Sequence, residues 1–235
     1  MFEGIYIYLA AAVLPAAVLM FYIYKKDTLE PEPPGLLAKL ALRGVLAALA
    51  SGVLETIAMI PLDRVLTNRS PLYLPILCFC IIAVIEEGTK YVGLRTYSWN
   101  RPDFNYCFDG IVYSVFVSLG FAAFENIGYV MGYGLSVAPT RALLAIPAHL
   151  AFSVFMGYFY GRARRWANLG ERSKATFNGV LGLLSAVLLH GFYDYCAMST
   201  APIMTIIFFA FVIATDIIVI ITVHNESKND HPIWR

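Results

Sequence analysis

The apolar positions of this chain neither alternate nor recur on one helical face. They fill seven long blocks, at residues 5–24, 40–60, 72–94, 108–131, 142–160, 175–198 and 202–223. A helix rising 1.5 Å per residue needs about 20 residues to cross the hydrocarbon of a bilayer. A block that is apolar all round, instead of on one stripe, is a helix whose solvent is lipid. Proline and charge mark the breaks: Lys25, Lys26 and the prolines 31, 33 and 34, then residues 61–71, 95–103, Pro139, 162–174 and Pro202. The pattern predicts an all-α polytopic membrane protein, a bundle of about seven transmembrane helices forming one transmembrane domain over residues 1–235. Residues 224–235 read as a short polar tail, frayed from the bundle. The first block is long enough to span, and Glu3 stands where a cleavable signal would carry Lys or Arg, so it reads as a retained first helix.

Composition agrees. The 235 residues are 59% hydrophobic and 14% charged, against about 25% charged in a soluble domain. A net charge of +1 provides no basic field for nucleic acid. Cys78, Cys80, Cys107 and Cys196 form no C-x-x-C pair and read as small buried apolar residues. Lys and Arg fall on alternate loops. Lys25, Lys26, Lys39, Lys90, Arg95, Arg101, the five between 162 and 174, Lys228 and Arg235 lie on one side, and Arg64, Arg69 and Arg141 on the other. The positive-inside rule then puts the N-terminus outside and the C-terminus in the cytoplasm. This is a multi-pass protein of the cytoplasmic membrane if the host is prokaryotic.

Against this background the ionisable residues inside the blocks stand out. A charge at mid-bilayer costs at least about 2.5–3.5 kcal/mol on insertion scales and needs a partner or a wet cavity. The third block carries Glu86, Glu87 and Lys90; Glu86 and Lys90, at i and i+4, share a face. A salt bridge with Lys90 snorkelling to the headgroups explains one glutamate, but not two. Adjacent carboxylates repel, which suits one of them to exchange a proton as a general base or acid must. The fourth block carries Glu125 and Asn126 with no cation within a helical turn, and Gly128 and Gly132 near that face allow close helix approach. The fifth carries His149, with Ser153 one turn on and Pro147 placed to kink the helix. The sixth carries His190 and Asp194, again i and i+4, so that the carboxylate can fix the ring's tautomer and free its other nitrogen. Arg43, Glu55 and Asp216 read as structural: Arg43 snorkelling and Glu55 near the outer interface. Each residue alone has a bland explanation as a strut or a neutral hydrogen-bonding group. Four helices that carry such groups at compatible depths point to one shared cavity.

Carboxylates and imidazoles together can hydrolyse an amide in two ways. A Zn²⁺ held by some of His149, His190, Glu125 and Asp194 would activate water, with Glu86 or Glu87 taking the proton. Without metal, Glu86 would activate water directly, and the imidazoles with Asn126 would stabilise the oxyanion. H-E-x-x-H and G-x-S-x-G are both absent.

The order Glu86-Glu87-x-x-Lys90, then Phe121-x-x-x-Glu125-Asn126, then His149, then His190-x-x-x-Asp194 resembles the PrsW family of membrane proteases, relatives of the Abi and CAAX-prenyl endopeptidases. The resemblance covers a core of roughly residues 70–200 and implies a site-1-type endopeptidase that cuts a membrane-anchored protein, an anti-sigma factor in the family's namesake. It implies catalytic roles for Glu86, Glu87, Glu125, His149 and His190, with Lys90, Asn126 and Asp194 in support. It leaves both mechanisms open: a metal held by His149, His190 and Glu125, or none. The CAAX branch has His where this chain has Glu125 and Asn where it has Asp194, so prenyl-protein processing does not carry over. A proton-coupled transporter or channel and a non-catalytic scaffold or immunity protein are the competing readings. No inverted repeat supports the first, and the second requires the buried charges to be structural alone. In every reading the lipid bilayer is a partner and nucleic acid is not.

Overall fold

The structure, a computed structural model, describes residues 2–234, with side chains from Ile5 to Trp234. Seven long helices follow one another: α1 (Phe2–Lys26), α2 (Pro34–Val65), α3 (73–98), α4 (Asp109–Tyr133), α5 (Leu135–Asn168), α6 (Arg172–Met198) and α7 (Pro202–Lys228). All but α3 are long and apolar enough to cross a membrane. The exception is the helix that carries Glu86, Glu87, Lys90 and Arg95. The seven expected blocks thus correspond to the seven helices, each helix running past its block at one end or both.

Helix α4 is the spine. Every residue from Asp109 to Ala122 is buried, and α4 packs on α1, α2 and α5. In lipid, helices gain little from burying apolar surface against one another, so close backbone approach and hydrogen bonds carry the association. Glycine supplies that approach here. A methyl group on Gly44 of α2 would collide with the Val117 carbonyl of α4, and one on Gly120 of α4 with the backbone of Ala41. Gly110 of α4 and Gly157 of α5 meet in the same manner. Buried polar ties finish the contacts: Ser51 of α2 to Thr89 of α3 at 2.7 Å, and Ser118 Oγ of α4 to the His149 carbonyl of α5 at 2.9 Å.

Two helices contain a widened π-helical segment just ahead of a site residue. In α3 it spans Ile76–Ile82, where Ala83 N donates to Cys78 O five residues back, and Glu86 comes one turn later. In α5 it spans Arg141–Ala145, ahead of His149. Pro147 lacks the N–H that would bond Leu143, and its ring crowds that carbonyl. A wide turn accommodates both and rotates the preceding residues relative to a regular helix.

The C-terminal segment differs from expectation. It does not fray: α7 runs on to Lys228, Arg162 of α5 pairs with Glu226 at 3.3 Å, and residues 230–233 lie along the α3–α4 connection. Cys107 N donates to His231 O, Ile233 N to Asn105 O, and Phe108 N to the Asp230 carboxylate at 2.9 Å. Loop backbone groups that need partners supply the reason. An acidic network joins them at this end: Asp27 accepts from Glu32 N, and the Tyr113 hydroxyl donates to Glu32 at 2.6 Å.

Burial pushes Glu32 up to about 8, with the Tyr113 hydrogen bond opposing and Asp27, Asp103 and Glu30 adding repulsion. Burial likewise pushes Asp27 and Asp230 to about 6. The folded state therefore holds protons that the unfolded chain releases near pH 4. Stability from these groups is complete at low pH and is lost as pH rises through the interval from about 4 to about 8. Thermal unfolding in detergent is expected to fall in midpoint between pH 5 and 8, with Glu32→Gln flattening the slope. An unchanged slope in that variant would show that Glu32 does not contribute to it.

Candidate active site

The site is built around Lys90. It is 1% exposed, so it does not snorkel to the headgroups but turns into the bundle. Its Nζ lies 2.7 Å from Glu87 Oε1, 3.1 Å from Glu86 Oε2 and 3.2 Å from His149 Nδ1, over the Phe121 ring at 4.0 Å from its centroid. The i, i+4 spacing to Glu86 was legible in sequence; the i, i+3 contact to Glu87 completes a clamp on one ammonium.

The two imidazoles are distinguished by their partners. His149 meets an ammonium at Nδ1 and a carboxylate, Glu125 Oε2, at 3.1 Å from Nε2. Lys90 can only donate, so Nδ1 accepts and Nε2 carries the proton. His190 has a carboxylate at each nitrogen: Glu87 Oε1 2.9 Å from Nδ1 and Asp194 Oδ2 3.3 Å from Nε2, with Glu86 Oε2 at 4.0 Å. A doubly protonated ring satisfies that arrangement. Phe152 stacks on His190 at 5.1 Å and 19°, fixing the plane of the ring.

Glu125 obtains its cation from a neighbouring helix. Arg141, at the start of the π-helical turn of α5, donates from Nη2 to Glu125 Oε2 and from Nε to Asn126 Oδ1, both at 2.8 Å, and lies 3.8 Å over the Tyr129 ring. Asn126 is fully buried, and its Nδ2 donates to Ala12 O at 2.8 Å, tying α1 to α4. Both ends of its amide are therefore engaged by the protein. Arg141 read from sequence only as a loop charge on the sparse side. The available signal was an arginine between Pro139 and Pro147 in an otherwise apolar stretch, eight residues before His149 and so on a neighbouring face.

A cavity of about 650 Å³ opens over this network. Glu86, Glu125, Arg141, His149, His190 and Asp194 line it, and so does Glu55 of α2. Glu55, read from sequence as a structural charge near the outer interface, thus lines the cavity. Glu87 and Lys90 are absent from the wall: Glu87 is 0% exposed, and its Oε2 has no hydrogen-bond partner among the described residues. Leu144, Phe152, Tyr193, Phe208 and Phe209 form an apolar side towards α6 and α7.

Three potential metal ligands, Glu86, Glu87 and His149, bring donor atoms within 4.8 Å of one another. This set shares only His149 with the expected His149, His190 and Glu125. Lys90 Nζ already lies within 3.2 Å of a donor atom on each of the three. A divalent ion there would face an ammonium at close range, and every ring nitrogen already has a protein partner. As arranged, this donor set fits the ammonium and does not fit a metal ion beside it.

Removing Lys90 leaves Glu86 buried without its close cation and Glu87 with His190 alone, and breaking a buried pair in this way costs about 3–5 kcal/mol. Lys90→Met is expected to lower the unfolding midpoint sharply and to abolish activity. Adding Glu87→Gln to it is expected to recover stability without activity. Equal stability of Lys90→Met and the parent would show that the carboxylates do not depend on this cation.

Comparison with known proteins places the chain in a family. Residues 32–221 match the family described as PrsW family intramembrane metalloprotease. Proteins named Protease PrsW are similar over most of their length. The one from Geobacillus kaustophilus is 33% identical over 192 residues, 81% of this chain and 80% of its own. Those from Clostridioides difficile and Oceanobacillus iheyensis are 32% and 29% identical, covering 80% and 94% of this chain and 77% and 96% of theirs. No solved structure matches. With a family match over residues 32–221 and a relative 33% identical over 81% of this chain, the chain belongs to the PrsW family of intramembrane proteases.

Proposed function

We propose that this protease hydrolyses peptide bonds with Glu86 as general base and Lys90 as a built-in cation in the position a metal would take. The observation that carries the reading is a difference between neighbours: Glu86 lies on the cavity wall and on Lys90, whereas Glu87 is sealed behind it. Glu86 takes a proton from a cavity water as the water oxygen bonds to the scissile carbonyl carbon. The carbonyl oxygen gains the negative charge, and His190, whose Nε2–H lies 3.3 Å from the wall residue Asp194, shares that proton between Asp194 and the oxygen. As the C–N bond breaks, Glu86 returns its proton to the leaving nitrogen, so that water and amide become acid and amine.

The other residues position these two. Glu87 and Asp194 hold His190 from opposite nitrogens. Glu125, neutralised by Arg141, fixes the tautomer of His149, which presents Nδ1 to Lys90. Asn126 acts in this scheme as a strut between α1 and Arg141. The substrate is a membrane-anchored protein, an anti-sigma factor being the candidate class, and the membrane is the cytoplasmic membrane of a prokaryote. The basic ends of the helices face the cytoplasm, and the cut falls towards the outer side. Residues 70–200 form the catalytic core.

The test is cleavage of a membrane-anchored substrate in liposomes by the purified protein, beside Glu86→Gln. The variant is expected to lose at least about a hundredfold in rate, the lower end of what a positioned base contributes. The parent is expected to keep its rate in a strong zinc chelator and to hold no stoichiometric metal. Loss in chelator with restoration by Zn²⁺ would reject the built-in cation and return the mechanism to a bound metal.

A further inference from the structure

Every carboxylate of the cavity network but one has a cation within the protein. Glu86 and Glu87 share Lys90, Glu87 and Asp194 share His190, and Glu125 has Arg141. Glu55 has none among the described residues. It projects from α2 into the same cavity, and its Oε1 is buried without a hydrogen-bond partner among those residues. A buried carboxylate oxygen left unpaired costs free energy that a native fold offsets only where something else completes the site. The charges agree. Five acidic side chains, counting Glu55, meet three basic ones, Lys90, Arg141 and His190, so the network has an excess of acidic groups.

The cavity also has a direction. Glu55 marks the α2 side, while Phe152 of α5, Tyr193 of α6 and Phe208 and Phe209 of α7 form an aromatic side, with Glu86 of α3 and His190 of α6 also on the wall. A peptide lying across it would place apolar side chains against the aromatic side and present its other flank to Glu55.

We infer that Glu55 is a specificity-determining residue that binds a lysine or arginine side chain of the substrate next to the bond being cut. The inference rests on the proteolytic reading and adds to it a substrate class: a membrane-anchored segment whose apolar stretch ends in a basic residue at the cleavage site. Desolvation in a low-dielectric cavity makes such a pairing strongly selective, because a neutral or acidic side chain leaves Glu55 unpaired.

The test uses the full-length protein in liposomes with single-span peptides in which Lys, Gln or Glu is moved in turn through the positions flanking the cut. Wild type is expected to favour Lys at one position by at least about tenfold in kcat/KM, a modest figure for a desolvated charge pair. Glu55→Gln is expected to lose that preference while still cleaving, and Glu55→Lys to favour Glu at the same position. The inverted preference separates a selectivity role from damage to folding, because a damaged protein would not gain a substrate. Equal cleavage of the three series by wild type, or a Lys preference that survives in Glu55→Gln, would overturn the assignment of Glu55 alone. Absence of cleavage in every series would overturn the proteolytic reading beneath it.

Discussion

One ammonium sets the terms for the rest of this protein. Lys90 is buried among seven helices, where an unpaired charge would cost several kcal/mol. Two glutamates and an imidazole nitrogen surround it at 2.7–3.2 Å. Its pairing with adjacent carboxylates on its own helix is local and follows from helical spacing. The third contact, to His149, joins α3 to α5 and therefore requires the fold to be complete. Each further partner answers an unmet demand. His149 needs an acceptor at Nε2 and finds Glu125, and Glu125 needs a cation and finds Arg141. Arg141 has a donor left for Asn126, whose amide reaches α1. A chain of satisfied polar groups thus runs from α3 through α5 and α4 to the first helix.

Such a chain holds geometry only if the helices bearing it approach closely and stay in register. The glycines of α2, α4 and α5 set the separation, and the carbonyl and hydroxyl ties at Ser51, Thr89 and Ser118 set the register. The widened turns before Glu86 and His149 do a third job. A π-helical turn shifts the angular phase of the residues on its N-terminal side relative to those on its C-terminal side. In α5 that shift lets Arg141 meet Glu125 while His149, two turns later, meets the same carboxylate. Packing, register and phase thus combine to converge on one carboxylate oxygen, Glu125 Oε2, which both Arg141 and His149 approach.

Much of this was legible in the chain before its fold. Seven apolar blocks became seven helices because lipid imposes a single solution on backbone hydrogen bonding. Glu86–Lys90 and His190–Asp194 were legible because one helix fixes its own i, i+4 neighbours. Contacts between helices were not. Lys90 could as well have turned to the headgroups, since snorkelling and inward pairing use the same spacing and differ only in what the neighbouring helices offer. Arg141 was hidden for a related reason: between two prolines it counts as a loop charge, and only the π-helical turn carries it into the cavity. Glu55, ten residues from the end of α2, has the depth of an interface residue by count alone. That α2 extends well past the bilayer thickness, at 32 residues or about 48 Å, is a fact of the fold. The tail misled through composition, since a polar segment frays only when no loop backbone offers it partners, and residues 103–108 do.

The choice of a lysine as the central cation has a consequence for how such a site works in a membrane. A metal ion is exchangeable, and its ligands must be deprotonated to hold it. An ammonium on a four-carbon stem is permanent, but it can also hold two carboxylates without opening a coordination position for water. Of the two carboxylates on that ammonium, only Glu86 also reaches the cavity. Its neighbour, in the same sequence motif and on the same ammonium, is sealed from the cavity and braces His190 instead. Two adjacent glutamates are thus separated by the hundred-degree turn of a helix: one lies on the cavity wall, and the other holds His190 from behind it.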